Sequence, residues 1–126
     1  ALSGNNLYVA YPAPPMNLAT VQTCDITSCT FSTVGGGTFS DGEAFGIGIV
    51  AALGRLYVVY RDGARGGKGT LMKFESGAWS PVSAGYSTGE IASPQILFNS
   101  ATSNIEIYQI DSSDTTRATV RTFPVP

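Results

Sequence analysis

The sequence predicts an all-β fold built from repeated antiparallel units. Its apolar residues lie in short runs rich in β-branched and aromatic side chains, and no apolar stripe persists at helical spacing. Fifteen glycines and seven prolines among 126 residues indicate many turns. The third observation is self-similarity along the chain, at a period near 48 residues.

The clearest unit surrounds a glycine-rich loop at residues 61–69. Two β-rich runs, Leu56 to Tyr60 and Thr70 to Phe74, flank this loop and predict a hairpin. The second run recurs at residues 20–24 and again at 119–123.

The first run of the hairpin also recurs on both sides. Residues 7–11 precede it by 49 positions, and residues 105–108 follow it by 48. This alignment predicts that Tyr11, Tyr60 and Tyr108 occupy matching places in successive sheets.

Two further elements complete the repeat. Residues 31–34 match 79–82, and the fourth strand at 47–50 matches 95–98. Four short strands in a period near 48 are typical of a propeller blade, because stacked blades bury each other's faces and leave only short edges.

We therefore predict a β-propeller-like array of about 2.5 four-stranded antiparallel blades in a single domain. The repeats cover about residues 1–38, 39–85 and 86–126, and the domain could belong to a larger propeller or assembly. A ten-stranded β-sandwich or barrel fits the same strands and is the alternative.

The elements follow in chain order. Strands are predicted at residues 7–11, 18–24, 30–34, 45–51, 56–60, 69–75, 78–82, 94–99, 105–110 and 117–123. Pro12 to Pro15 predict an unpaired exposed loop, and residues 111–116 a polar loop. Gly46 and Gly48 would let neighbouring backbones approach closely. The first repeat is expected to lack its inner strand, and the last its outer strand.

The middle repeat carries a family resemblance. The stretch from Leu56 to Glu90, "LYVVYRDG…W…GYSTGE", resembles secreted microbial β-propeller repeat proteins of the YVAYxD type, similar to lectin, kelch and sialidase propellers. The first repeat lacks Arg-Asp-Gly and has Phe31 in place of Trp79. The resemblance implies the propeller architecture and no particular activity.

Composition excludes several classes of partner and of catalytic site. The net charge of −2 and pI near 4.8 argue against nucleic acid or an anionic membrane as partner. No apolar run approaches the roughly 20 residues of a membrane helix. The absence of histidine removes Ser-His-Asp and Cys-His catalysis and most transition-metal sites. We predict that the chain is not an enzyme and uses no metal or cofactor.

The two cysteines, Cys24 and Cys29, lie where one predicted strand turns into the next. The ends of such a short hairpin can approach to the roughly 5.5 Å between Cα atoms that a disulfide needs. We predict a disulfide, hence an oxidising compartment and a secreted protein. A pair of reduced thiols is the alternative.

Carbohydrate recognition requires an aromatic ring against the apolar face of a sugar, and planar hydrogen-bonding groups for the hydroxyls. One repeat offers a candidate set of six ligand-binding residues: Tyr60, Arg61, Asp62, Trp79, Tyr86 and Glu90. The structural alternative is that the three aromatic rings pack between blades and that Arg61 and Asp62 form a local ion pair.

A second chemical possibility rests on carboxylates. Asp41 with Glu43, and Glu90 in the next repeat, could support glycoside hydrolysis. Their recurrence in successive repeats instead favours a structural role at the turn that leads into each inner strand.

These observations predict a secreted, lectin-like binding module that contacts carbohydrate or another surface ligand through its loops. The alternatives are a structural subunit of an extracellular filament or surface assembly, and a glycosidase-like propeller fragment. Unfinished first and last blades also predict self-association or pairing with a complementary chain.

Overall fold

The computed structural model describes residues 1–114 and 117–126 and confirms the all-β prediction. These residues contain eleven strands: β1 (Leu2–Ser3), β2 (Asn6–Ala13), β3 (Leu18–Asp25), β4 (Ser32–Thr33), β5 (Ala44–Ala52), β6 (Arg55–Asp62), β7 (Lys68–Glu75), β8 (Ala78–Ser83), β9 (Ile91–Asn99), β10 (Asn104–Asp111) and β11 (Ala118–Pro124). Thr115 and Thr116, in the predicted polar loop, lie outside the described residues. No helix in the described part of the chain is long and apolar enough to cross a membrane.

The strands form three antiparallel sheets in which chain neighbours pair. Sheet 1 contains β1 to β4, sheet 2 contains β5 to β8, and sheet 3 contains β9 to β11. Every predicted strand overlaps an observed one. Short 3-10 turns at Gly63–Arg65 and Ser112–Asp114 follow β6 and β10.

Two predictions about sheet 1 are wrong. A two-residue inner strand exists, because Leu2 pairs with Leu7 at the start of β2. At the other end β2 continues through Pro12, which pairs with Ala19 of β3. A proline is tolerated there because β1 covers only the start of β2, so the opposite side of the strand needs no N–H donor.

The predicted register of Tyr108 is also wrong, by one residue. Ile105 lies opposite Phe123 in sheet 3 just as Leu56 lies opposite Phe74 in sheet 2, so the true offset is 49 residues. A slip of one residue moves a side chain to the other face of the sheet.

Gln109 therefore takes the place of Tyr60 in sheet 3. Gln109 is 3% exposed and Tyr60 is 2% exposed, whereas Tyr108 is 40% exposed on the opposite face. Tyr11 does occupy the matching place in sheet 1, since it pairs with Thr20 as Tyr60 pairs with Thr70.

The sheets pack face to face in series, with sheet 2 in the middle. One core lies between sheets 1 and 2 and includes Val21, Val58 and Tyr60. The other lies between sheets 2 and 3 and includes Val59 and Ile107. Both faces of β6 are thus buried, which explains why its centre is continuously apolar rather than alternating.

A repeated serine ties each connecting segment to the sheet before it. The Ser40 hydroxyl accepts a hydrogen bond from the Ala19 N–H (2.8 Å) and donates to the Gly42 carbonyl (2.7 Å). Ser87 makes the equivalent bonds to Gly69 (2.9 Å) and Gly89 (2.7 Å). The recurring Ser-x-Gly-Glu motif therefore holds this turn in place.

Candidate functional site

The six predicted ligand-binding residues do not form one cluster. Tyr60 and Trp79 pack on the side of sheet 2 that faces sheet 1. Tyr86 packs on the side that faces sheet 3, and Arg61 makes its ion pair there, with Glu90 (3.2 Å). For Tyr60 and Arg61 the division follows from strand geometry, because successive side chains point to opposite faces.

Trp79 is held by aromatic packing. Its ring stacks on Phe39 with centroids 4.0 Å apart and lies 5.2 Å from the Phe74 ring. The indole N–H donates to the Val34 carbonyl (3.2 Å). The ring thus joins sheet 2 to sheet 1, as the packing alternative predicted.

The two tyrosines are packed as well. Burial raises the pKa of Tyr60 and of Tyr86 well above the ordinary tyrosine value. The Tyr86 hydroxyl donates to the Gln109 side-chain oxygen (2.5 Å), and its ring lies edge-on to Phe123 at 5.3 Å. These rings stabilise the contacts between sheets.

Asp62 organises the loop that follows β6. It is 1% exposed and accepts hydrogen bonds from the Thr70 hydroxyl (2.6 Å) and the Ala64 N–H (3.1 Å). Its ion-pair partner is Arg65 (3.3 Å). The predicted pair between Arg61 and Asp62 is wrong because adjacent strand residues face opposite ways.

A small cavity of about 140 Å³ lies beside Asp62, at the end of the sheets where the loops and connecting segments meet. Tyr60, Phe39 and Asp41 help to line it. Asp41 forms an exposed ion pair with Arg65 (3.1 Å). Two of the three candidate carboxylates, Asp41 and Glu90, are therefore paired with arginines.

A larger cavity lies at the opposite end, between sheets 1 and 2. Its volume is about 300 Å³, and we call it the inter-sheet cavity. It is lined by Ser3, Tyr8, Thr23, Val34, Ala51, Gly54, Arg55, Leu56 and Phe74. Tyr8 from sheet 1 and Phe74 from sheet 2 supply aromatic walls, and the remaining apolar side chains extend this surface.

Thr23 lines this cavity and carries an unsatisfied hydroxyl. Its Oγ1 is buried and has no hydrogen-bond partner within residues 1–114 and 117–126. Buried polar atoms normally have a partner, so the Thr23 side chain would have to turn toward the cavity before its hydroxyl could bond a water molecule or a ligand.

Arg55 also lines this cavity, and its guanidinium is paired with a carboxylate. Its guanidinium pairs with Glu75 (2.5 Å), which raises the pKa of Arg55. Hydrogen bonds from Lys73 and then Arg55 lower the pKa of the Glu75 carboxyl. A second guanidinium nitrogen donates to the Pro126 carbonyl (3.0 Å).

None of the residues that line the inter-sheet cavity was predicted as a site residue. They come from β1, β2, β3, β5, β6, β7 and the segments beside them, and no local motif joins them. The one sequence signal that could have indicated this cavity is Thr23, a polar residue in a strand that otherwise buries small apolar residues toward sheet 2.

The cysteines are close but unbonded. The Cys24 and Cys29 sulfur atoms lie 3.0 Å apart, and both are free thiols. The hydrogen bond with Cys29, together with burial, raises the pKa of Cys24 to about 11. The disulfide stays a prediction.

The described residues contain no group of three or more acidic, cysteine or histidine side chains placed to hold a metal ion. No protein-family model and no curated protein matches this chain.

Proposed function

We propose that this chain is a non-catalytic binding module that takes carbohydrate, or a similar polyhydroxylated surface ligand, in the inter-sheet cavity. The observation that carries the proposal is the inter-sheet cavity with its aromatic walls, lined also by Thr23, whose hydroxyl has no hydrogen-bond partner within the described residues. Sugars present apolar ring faces together with hydroxyl groups, so they match this combination of surfaces.

The size and chemistry of the cavity support this assignment. Its volume of about 300 Å³ falls at the lower end of the roughly 300–1,000 Å³ typical of small-molecule sites. Tyr8 and Phe74 offer apolar contact, and Thr23 and Arg55 offer hydrogen bonds. The lack of histidine in the chain supports a binding role over catalysis by a histidine-activated nucleophile.

The proposal includes a β-propeller-like arrangement of the three sheets. Face-to-face stacking in series, four-stranded meanders and the 49-residue offset support it. We also propose that the module is secreted, with Cys24 and Cys29 joined in an oxidising compartment. A mass measurement on alkylated, non-reduced protein decides whether that bond forms.

Titration with a panel of mono- and disaccharides, followed by amide chemical shifts, tests the function. We expect saturable shifts at Thr23 and Gly54. Thr23→Val keeps the side-chain shape but removes the hydroxyl, and one lost hydrogen bond of about 1 kcal/mol would weaken binding roughly fivefold.

Thr33→Val is the matched control, because Thr33 is exposed on β4 and does not line the cavity. No saturable shift at millimolar sugar, or equal weakening by both variants, would contradict the proposal. Shifts centred on Arg61 and Glu90 would instead favour the loop residues predicted from the sequence.

A further inference from the structure

The stack of sheets presents an apolar surface at each end. We call the side of sheet 1 that points away from sheet 2 the N face; it exposes Leu2 (61%), Val9 (39%) and Phe31 (44%). The side of sheet 3 that points away from sheet 2 is the C face. It exposes Leu97 (40%), Tyr108 (40%) and Val120 (54%).

The N face repeats a surface that is already used inside the chain. Leu2, Leu7 and Cys24 form a row across sheet 1. The equivalent row in sheet 3 packs against sheet 2 and consists of Phe98, Ile105 and Phe123. The N face thus repeats the row with which sheet 3 contacts sheet 2, although in this row Leu2 is exposed and Cys24 is buried.

The C face repeats the other half of the same contact. Pairing along the strands makes its three exposed apolar residues equivalent to Val50, Val59 and Leu71 of sheet 2. Those three side chains receive sheet 3 in the second core. The two end surfaces are therefore the complementary halves of one interface, and each continues the series of packed sheets.

We propose that two copies of this chain associate head to tail, the N face of each packing on the C face of the other as sheet 3 packs on sheet 2. A contact between two different surfaces continues indefinitely unless rotation closes it. Closure by two copies rests on the proposed propeller-like arrangement: propellers have about four to eight blades, two copies supply six, and three would supply nine.

Glu106 sets a limit on the strength of this contact. It lies on the C face, where it accepts hydrogen bonds from Asn99 and from the Tyr108 hydroxyl (both 2.8 Å). The equivalent residue in sheet 2 is the buried Tyr57. Because covering a carboxylate is costly, we expect association to be reversible and to depend on concentration.

Sedimentation velocity over a roughly thousandfold range of concentration tests the proposal. We expect a monomer of 13.1 kDa to convert to one species of about 26 kDa, twice that mass. Val9→Asp on the N face and Val120→Asp on the C face should each raise the dissociation constant more than about tenfold, since each would bury an unpaired charge.

Leu53→Asp is the control, because Leu53 is 60% exposed in the turn between β5 and β6, away from both faces. An equimolar mixture of Val9→Asp and Val120→Asp should regain dimers. In a mixed dimer the unaltered N face of the Val120→Asp chain meets the unaltered C face of the Val9→Asp chain, so one of the two contacts is intact. Far-ultraviolet circular dichroism verifies folding, and Phe31→Asp with Leu97→Asp repeats the test if either variant unfolds.

Three results would overturn the proposal. The first is a wild-type chain that stays monomeric at every concentration. The second is dissociation by only one of the two variants, which indicates a symmetric contact of like faces. The third is growth beyond two copies. Sugar titration of the Val9→Asp monomer tests the binding function separately, because the inter-sheet cavity lies within one copy.

Discussion

Gly69 is the position where the structure makes its sharpest prediction about stability. Gly69 lies in β7 beneath the Tyr86 ring, and a Cβ added there would lie 2.5 Å from the Tyr86 hydroxyl oxygen and 2.7 Å from Cε1. The ring has little room to retreat, because its hydroxyl is bonded to Gln109 and its edge meets Phe123. Gly69→Ala should therefore strain the contact between sheets 2 and 3.

The size of the effect follows from two opposing contributions. Overpacking typically costs about 1–3 kcal/mol, and the smaller conformational freedom of alanine in the unfolded chain offsets about 0.4–1 kcal/mol. We expect a net loss of about 0.5–2 kcal/mol. With an unfolding entropy near 2.1 cal/mol/K per residue, this lowers Tm by about 2–8 °C.

Thermal unfolding of a double-mutant cycle provides the assay. In the Tyr86→Ala background the added Cβ meets no ring, so Gly69→Ala should become neutral or stabilising. The repeat offers an internal comparison: the residue equivalent to Gly69 in sheet 1 is Ala19, and the residue equivalent to Tyr86 is Phe39, which lacks a hydroxyl. An equal loss of stability in both backgrounds would refute the reasoning.

Two further predictions concern stability. Trp79→Ala should lower the free energy of unfolding in urea by about 3–5 kcal/mol, because it removes a ring packed on Phe39. Phe31 is the equivalent residue of the first repeat and is 44% exposed, so Phe31→Ala should cost under about 1 kcal/mol. Similar losses for the two variants would contradict this prediction. Hydrogen bonds from Ser113 and then the Gly89 N–H lower the pKa of Asp111. The ionised carboxylate therefore adds to the free energy of unfolding above the ordinary aspartate pKa of about 3.9, and this stabilisation is lost as the pH falls through the lower pKa of the folded state. Asp111→Asn should flatten that loss in denaturant midpoints measured against pH, and an unchanged pH profile would count against the assignment.

The repeated pattern predicted the positions of the strands well. Leu56 to Tyr60 is apolar throughout because the strand is buried on both faces, and glycine and proline mark the turns around it. The register of Tyr108 was wrong because the short β10 pattern fits an offset of 48 as readily as 49. The β11 run at residues 119–123 carried the correct offset of 49.

The candidate site could not be predicted in the same way. Tyr60, Arg61 and Asp62 are consecutive, and their chemistry suggests cooperation, but successive side chains of a strand point to opposite faces, so Arg61 lies on the other side from Tyr60 and Asp62. Trp79 and Tyr86 have the composition of a sugar platform, yet each ring is packed against a neighbouring sheet. Thr23 and Arg55 line one cavity although 31 intervening residues separate them in the chain.

The sequence by itself determined the all-β class, the number and approximate bounds of most strands, and the order in which they pair, because these depend on local periodicity and turn chemistry. Only the tertiary structure decided which side chains share a face, where a cavity opens and which apolar surfaces stay uncovered. The physical reason is that burial and hydrogen bonding between sheets depend on register and stacking, which a shift of one residue reverses.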